Sequence, residues 1–315
     1  MHPRNAVSET PRTTNAINAT IPALDEHLVV RLLSSQFREW ANLAVTRVES
    51  GGWDNRTFRL GNDMLVRLPS ALDYASQVET EQRWLPHLAP HLPVRIPEPL
   101  AAGRAEHGFP WAWSIYRWLP GEAASSGHIA RLPAFATDLA QFLTALHAVD
   151  TNGGPPPGAN NFHRGGDLVV YDSQTRRAIE ALEGRIDAFS ATGVWERALS
   201  SAWHHQPVWV HGDISAGNLL TIHGVLSAVI DFGQLAVGDP ACDLAIAWTL
   251  FHGDSRDRFR SQLELDDDTW ARGRGWALWK ALIVAAGLAG TNPTQAPRCW
   301  NVIDEILLDH ARTET

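Results

Sequence analysis

The stretch from Pro207 to Ala245, PVWVHGDISAGNLLTIHGVLSAVIDFGQLAVGDPACDLA, restricts the fold more than any other part of the chain. Two apolar runs rich in Val, Trp, Leu and Ile, one from Val208 to Val210 and one from Val225 to Ile230, each end on an acidic residue in a glycine-bounded turn. They read as strands, and strands that finish this way place carboxylates at a sheet edge. His211-Gly212-Asp213 closes the first run and Asp231-Phe232-Gly233 the second. Asn218 lies between them, five residues beyond Asp213.

Chemistry that moves a phosphoryl group needs these residue types in this order. The charges of a triphosphate require magnesium, a hard cation that prefers carboxylate and amide oxygens, which makes Asn218 and Asp231 the candidate metal ligands. Asp213 is then the candidate catalytic residue, a carboxylate that accepts the proton of the attacking hydroxyl or orients it. Because the transition state is loose, positioning outweighs basicity, and Asp213 needs no raised pKa.

The block H-G-D-x-x-x-x-N, then V-I-D-F-G, then G-D-P-A-C-D-L-A resembles the motifs of the aminoglycoside phosphotransferase family, the small-molecule branch of the protein-kinase-like fold. That resemblance implies an α+β, two-lobed fold with a small antiparallel-sheet N-lobe and a mostly helical C-lobe. The implied activity is phosphorylation, by ATP or GTP with Mg2+, of a small-molecule hydroxyl, on an aminoglycoside-type antibiotic or related metabolite. A macrolide, amino alcohol or sugar acceptor, or a nucleotide-binding regulator without turnover, are the alternatives. Only nine residues separate Gly233 from Asp243, so there is no room for the activation segment on which a protein kinase docks peptides.

The same resemblance assigns roles along the N-terminal third. Val45 to Val48, Thr57 to Leu60 and Met64 to Leu68 form a three-strand meander behind a helical pattern over residues 25–41, capped by Asp25. Gly51 and Gly52 in its first turn let backbone amides approach phosphate oxygens. Arg67 stands where the family often has a lysine that contacts the nucleotide phosphates; a guanidinium grips such oxygens bidentately. Its expected partner on the following helix is Glu81, with Glu79 the rival. Tyr116 takes the gatekeeper position, and the backbones of Arg117 and Leu119 meet the adenine edge. Leu119-Pro120-Gly121 breaks the strand as a hinge between lobes. The expected division is a disordered tail over 1–24, an N-lobe over 25–121 with its hinge at 117–121, and a C-lobe over 122–315.

In the C-lobe, helices are expected over 129–149, 172–189, 194–203 and through 241–312, with a proline-rich loop at 151–171 that is either a lid or a spacer. Asp243 matches a family residue that braces the catalytic loop, and His211 reads as a packed, hydrogen-bonded residue, because the adjacent carboxylate already suits the role of base. Ser215 stands where protein kinases carry lysine. Asp254, Asp257 and Glu264 are candidates for binding ammonium groups of an acceptor, and the C-terminal tryptophans for stacking on a sugar or macrolide.

Composition narrows the remainder. At 315 residues and 44% hydrophobic content the chain builds its cores without disulfide staples, and its two cysteines, Cys242 and Cys299, fit a reducing compartment, hence the cytoplasm. A net charge of -9 argues against a nucleic-acid partner. No run of about 18 apolar residues suggests a membrane span. Lys280 is the only lysine, which rules out a Walker A loop.

Overall fold

The structure, a computed structural model, describes residues 21–48, 54–125, 127–288 and 296–313. Gly51 and Gly52, and residues 1–20 of the expected tail, lie outside the described residues. The N-terminal part is an antiparallel sheet of β1 (Val45–Arg47), β2 (Asn55–Leu60), β3 (Met64–Pro69), β4 (Pro99–Gly103) and β5 (Trp113–Arg117), in the order β1-β2-β3-β5-β4. Side chains alternate across a strand, and β3 uses both faces. Val66 and Leu68 join Phe58, Leu60, Trp113 and Ile115 in a core closed by Leu28, Val29, Leu32 and Leu33 of α1 (Glu26–Gln36). Arg67, between them in sequence, turns to the other face, where α2 (Ala75–Leu88) lies.

Asp25 caps α1 by accepting the Leu28 amide at 2.9 Å. The helix stops at Gln36 instead of continuing to 41, because Phe37 leaves helical geometry to lie edge-on to Trp113 and stack on Trp40, with both centroid distances 5.4 Å. Aromatic packing thus overrides a periodicity that alone favoured a longer helix. Leu24, just before the cap, also packs on this core.

The C-terminal part is mostly helical. α3 (Leu132–His147) buries Phe135, Leu139, Phe142, Leu143 and Leu146. It begins at Leu132, later than expected, with Pro133 in its first turn, where a missing amide costs least. Around it lie α4 (Asp172–Ala181), α5 (Ala188–Leu199), α6 (Ile246–Thr249), α7 (Asp254–Gln262), α8 (Asp267–Ala285) and α9 (Ala296–Thr313). The helices expected over 172–189 and 194–203 are instead α4 and α5. Gly184, at φ +77°, breaks the chain between them, and Asp187 caps α5 by accepting the Ser190 amide at 3.0 Å. α8 is buried along most of its length, and Gly273 permits this: a Cβ there would come within 2.7 Å of Leu244.

Two small sheets carry the chemistry-bearing stretch. β7 (Val208–Val210) pairs with β10 (Ala236–Gly238), and β6 (Glu122–Ala123) pairs with the hairpin β8 (Leu219–Ile222) and β9 (Val225–Val229). The hairpin turn is His223-Gly224, at φ +53° and +76°, the left-handed pair a tight two-residue turn demands. Among the described residues no helix is long and apolar enough to cross a membrane.

Candidate active site

The β8–β9 hairpin sets the site. Its register pairs Leu219 with Val229, so the residues just outside it, Asn218 and Ile230, also meet: the Ile230 amide donates to the Asn218 carbonyl at 2.9 Å. Asp231 follows at once. The Asn218 amide nitrogen donates to both the backbone carbonyl and Oδ2 of Asp213, each at 2.9 Å. Both partners are acceptors, which fixes the amide orientation and leaves Asn218 Oδ1 as the oxygen for another ligand. Three residues separated by up to 18 positions in sequence are therefore neighbours through one hairpin and one amide.

The loop before Asn218 is braced from below. Gly212 has φ +85°, and a Cβ there would come within 2.4 Å of the Gln234 carbonyl, so only glycine fits. Asp243, fully buried, accepts the His211 amide at 2.7 Å and the Gly212 amide at 2.8 Å. Burial pushes the Asp243 carboxyl above its ordinary value, opposed by His211 and those two amides. His211 Nδ1 accepts the Asp213 amide at 3.1 Å, which makes Nε2–H the donor to the Ile230 carbonyl at 3.0 Å. Both ring nitrogens are used, so His211 has none left for a reacting proton.

The opposite wall comes from the sheet. Arg67 donates to both oxygens of Glu81, at 3.0 and 3.1 Å, and to Asp231 Oδ1 at 2.6 Å. Burial opposes its charge, but Glu81 and Asp231 hold it well above its ordinary value. Glu81 is 3% exposed and also accepts the Tyr116 hydroxyl and, at 3.0 Å, the Phe232 amide, whereas Glu79 faces solvent. The pairing left open between Glu81 and Glu79 therefore goes to Glu81. Tyr116 is buried, and its hydroxyl reaches the site only through Glu81. The Arg117 amide donates to the Glu98 carbonyl at 2.9 Å and its guanidinium pairs with the Glu98 carboxylate at 2.6 Å on the surface, so neither its N–H nor its side chain is offered to a nucleotide. Leu119, two residues on, is 9% exposed.

Among the described residues no three His, Cys, Asp or Glu side chains converge tightly enough to hold a metal by themselves. Two protein oxygens completed by phosphate and water are what magnesium takes in phosphoryl-transfer sites, and Asn218 Oδ1 with Asp231 Oδ2 supply such a pair. Asp231 holds φ +69°, a left-handed backbone that costs a non-glycine residue about 1–2 kcal/mol, while its carboxylate receives Arg67.

A profile of the phosphotransferase enzyme family matches residues 45–276, from the first strand to the middle of α8. The chain belongs to this family. An aminoglycoside 3'-phosphotransferase of Escherichia coli is 27% identical to it over 215 residues, 62% of this chain and 72% of that protein. Among solved structures, the GDP and kanamycin complex of APH(2")-IIia superposes with a TM-score of 0.68 at 18% identity, covering 90% of this chain and 99% of that one. Macrolide 2'-phosphotransferase type I gives 0.59 at 19% identity, covering 88% and 96%. These likenesses extend over both parts of the molecule and show the two-lobed, kinase-like α+β fold.

Two polar residues of the phosphotransferase cleft escaped the reading of its sequence. Asp54, two residues beyond Gly52, is pushed up to about 6 by burial and by the charges of Asp231 and Asp213, while the Tyr74 hydroxyl bonded to it pulls the other way. An acid at the mouth of a glycine loop was the available signal. Arg164 donates to Gln234 Oε1 at 2.9 Å, next to Gly233. No motif announces it. Of the acids suggested for an acceptor, Asp254 and Asp257 are exposed on α7, which packs on α3, Asp254 pairs with Arg258 at 3.4 Å, and Glu264 is exposed just past that helix.

Proposed function

We propose that this small-molecule phosphotransferase moves the terminal phosphoryl group of ATP or GTP, with Mg2+, to a hydroxyl of its acceptor. The observation that carries the reading is the contact of Asn218 with Asp213, with Asp231 beside them at the end of the same hairpin. Asn218 Oδ1 and Asp231 would hold the magnesium, which would supply the charge that neutralises the phosphates. Asp213 accepts the proton of the hydroxyl, or aims its lone pair, as the oxygen closes on phosphorus; the bond to the leaving nucleoside diphosphate breaks in the same step. Arg67, held by Glu81 with Tyr116 behind it, faces the phosphates, and the Gly51-Gly52 pair is assigned from sequence to supply backbone amides to them. The hinge around Arg117 and Leu119 receives the purine. Asp243 and His211 keep the loop in register.

Antibiotic hydroxyls are the acceptors to assay first, because the relatives include an aminoglycoside 3'-phosphotransferase and a macrolide 2'-phosphotransferase. The soluble, cytoplasmic setting and the lack of a nucleic-acid partner belong to the same proposal and rest on composition. The test is acceptor-dependent release of nucleoside diphosphate by the purified chain across aminoglycoside, macrolide, amino-alcohol and sugar panels, with Asp213→Ala alongside. Release that requires Mg2+ and vanishes in Asp213→Ala supports the reading. Nucleotide binding without transfer to any acceptor would favour a regulatory protein instead.

A further inference from the structure

Residues 150–166 run along the free edge of β10 and are bonded to it near both ends. β10 pairs with β7 on its other side. The Val237 amide donates to the Pro155 carbonyl and the Asp239 amide to that of Gly165, each at 2.8 Å. The Trp209 indole, on β7, donates to the Asp150 carbonyl at 2.9 Å. Glycines press the two segments together: a Cβ at Gly238 would collide with the Gly165 carbonyl, and one at Gly154 with the Val237 side chain. Between the anchors Asn161 closes the segment on itself, donating to the Pro156 carbonyl at 3.0 Å and accepting the Gly158 amide at 2.8 Å. A lid would have to break the two amide bonds each time it opened.

Arg164 is the residue of this segment that reaches the chemistry. Its Nε donates to Gln234 Oε1 at 2.9 Å, three residues past Asp231. Its Cγ lies 3.0 Å from where a Cβ at Gly212 would be, so its stem fills the space that this glycine leaves immediately before Asp213. The guanidinium carbon rests 4.9 Å from the Trp276 ring, which limits where it can go. Protein kinases carry an arginine within this loop, at the position of Gly212. Here the loop has a glycine at φ +85°, and the arginine arrives from outside. The far anchor leads to the same loop: Asp239 caps the short helix Pro240–Ala245, from which Asp243 holds the His211 and Gly212 amides.

We propose that residues 150–166 are a fixed strap, not a lid, and that Arg164 is a positioning residue which holds Asp213 and Asp231 at constant separation through Gly212 and Gln234. The purpose of that separation rests on the phosphotransferase reading above: the metal side and the attacking hydroxyl must meet at one phosphorus. The strap itself stands on bonds that need no ligand. Arg164 acts on the transfer step more than on binding, because Asn218, Asp231 and Arg67 are bonded to groups other than Arg164.

The test uses the full chain. Amide hydrogen exchange is read without ligand, then with Mg2+ and a nonhydrolysable ATP analogue. In the free chain the Val237 and Asp239 amides are expected to exchange about as slowly as the core amides of α8, with less than about a threefold change on adding nucleotide. Fast exchange in the free chain, whether or not nucleotide slows it, overturns the strap. Arg164→Ala removes stem and guanidinium: the Asp213 amide, bonded to His211, should exchange about tenfold faster or more. In the same variant kcat for transfer from Mg2+-ATP to water, which needs no identified acceptor, should fall about tenfold or more with nucleotide affinity within about threefold. Arg164→Met and Gln234→Met keep the stem and lose the same bond, so each should lose less, and the double variant no more than either alone. Unchanged Asp213 exchange in Arg164→Ala, an unchanged kcat, or additive losses in the double variant overturns the role of Arg164. A wild-type chain that neither binds Mg2+-ATP nor transfers from it would strike the phosphotransferase reading instead, and the exchange results would still decide the strap.

Discussion

Two sides of one cleft are held by opposite means. On the loop from His211 to Asn218, the polar groups satisfy one another: Asp243 accepts two amides, His211 uses both ring nitrogens, and Asn218 holds Asp213 by two bonds. On the facing side like charges are crowded together. Burial and the fields of Asp231 and Asp213 push the Asp54 carboxyl up. The difference separates two tasks. The bonded loop fixes a geometry, and the crowded acid stores repulsion that a cation beside it would relieve. Arg67 joins the two, bonded to Glu81 on one side and to Asp231 on the other.

Removing the ligand that both sides share should have the largest effect. Asp231→Asn loses the anionic oxygen for magnesium and one of the two carboxylates on Arg67. Mg2+-dependent nucleotide affinity should fall by about 100-fold, read by calorimetry with and without the metal. On the fixed side, Asp243→Ala orphans two buried amides and should lower stability by about 2–5 kcal/mol in chemical denaturation, with turnover falling as the loop loosens. If stability holds, water or the His211 ring replaces the brace and the loop is less fixed than its bonds imply. Glu81→Gln keeps the shape but removes the charge facing Arg67, which retains Asp231; a loss of about 1–3 kcal/mol is expected, with weaker nucleotide binding.

The smallest effect belongs to the crowded side and carries a sign. The folded chain raises the Asp54 pKa from 3.8 to about 6, chiefly by burial, so it binds this proton more tightly than the unfolded chain does. The contribution to stability is present below about pH 4 and is lost as pH rises through 6. Asp54→Asn, without nucleotide or metal, should therefore melt higher than wild type at pH 7.5, by about 1–2 kcal/mol, with no difference near pH 4. A wild-type chain that is the more stable of the two at pH 7.5 would show that Asp54 is not crowded.

How much of this was legible depended on whether a residue sits in a motif. Asp213, Asn218 and Asp231 were readable as neighbours because strand ends and a fixed spacing place them together, and Arg67 was found through the resemblance of its strand to the family. The hairpin that joins Asn218 to Asp231 was missed: only its second strand was read, although the His223-Gly224 pair carries the turn signal. Sequence favoured Glu81 over Glu79 only by its match to the family position, since the two differ in which side of α2 they occupy; burial beside Tyr116 and Phe232 decides between them. Arg164 was invisible for a different reason: it is far in sequence from Gln234 and Gly212, and only tertiary packing brings them together.

The account turns on Asp213 as the group that aims the attacking oxygen while the metal side stays intact. Pre-steady-state transfer by Asp213→Asn, measured with its nucleotide affinity in the same preparation, addresses this most directly. The account predicts affinity for Mg2+ and nucleotide within about twofold of wild type and transfer slowed by about 100-fold or more. Transfer at the wild-type rate with unchanged affinity would contradict it, and would move the acceptor to some other residue of the cleft.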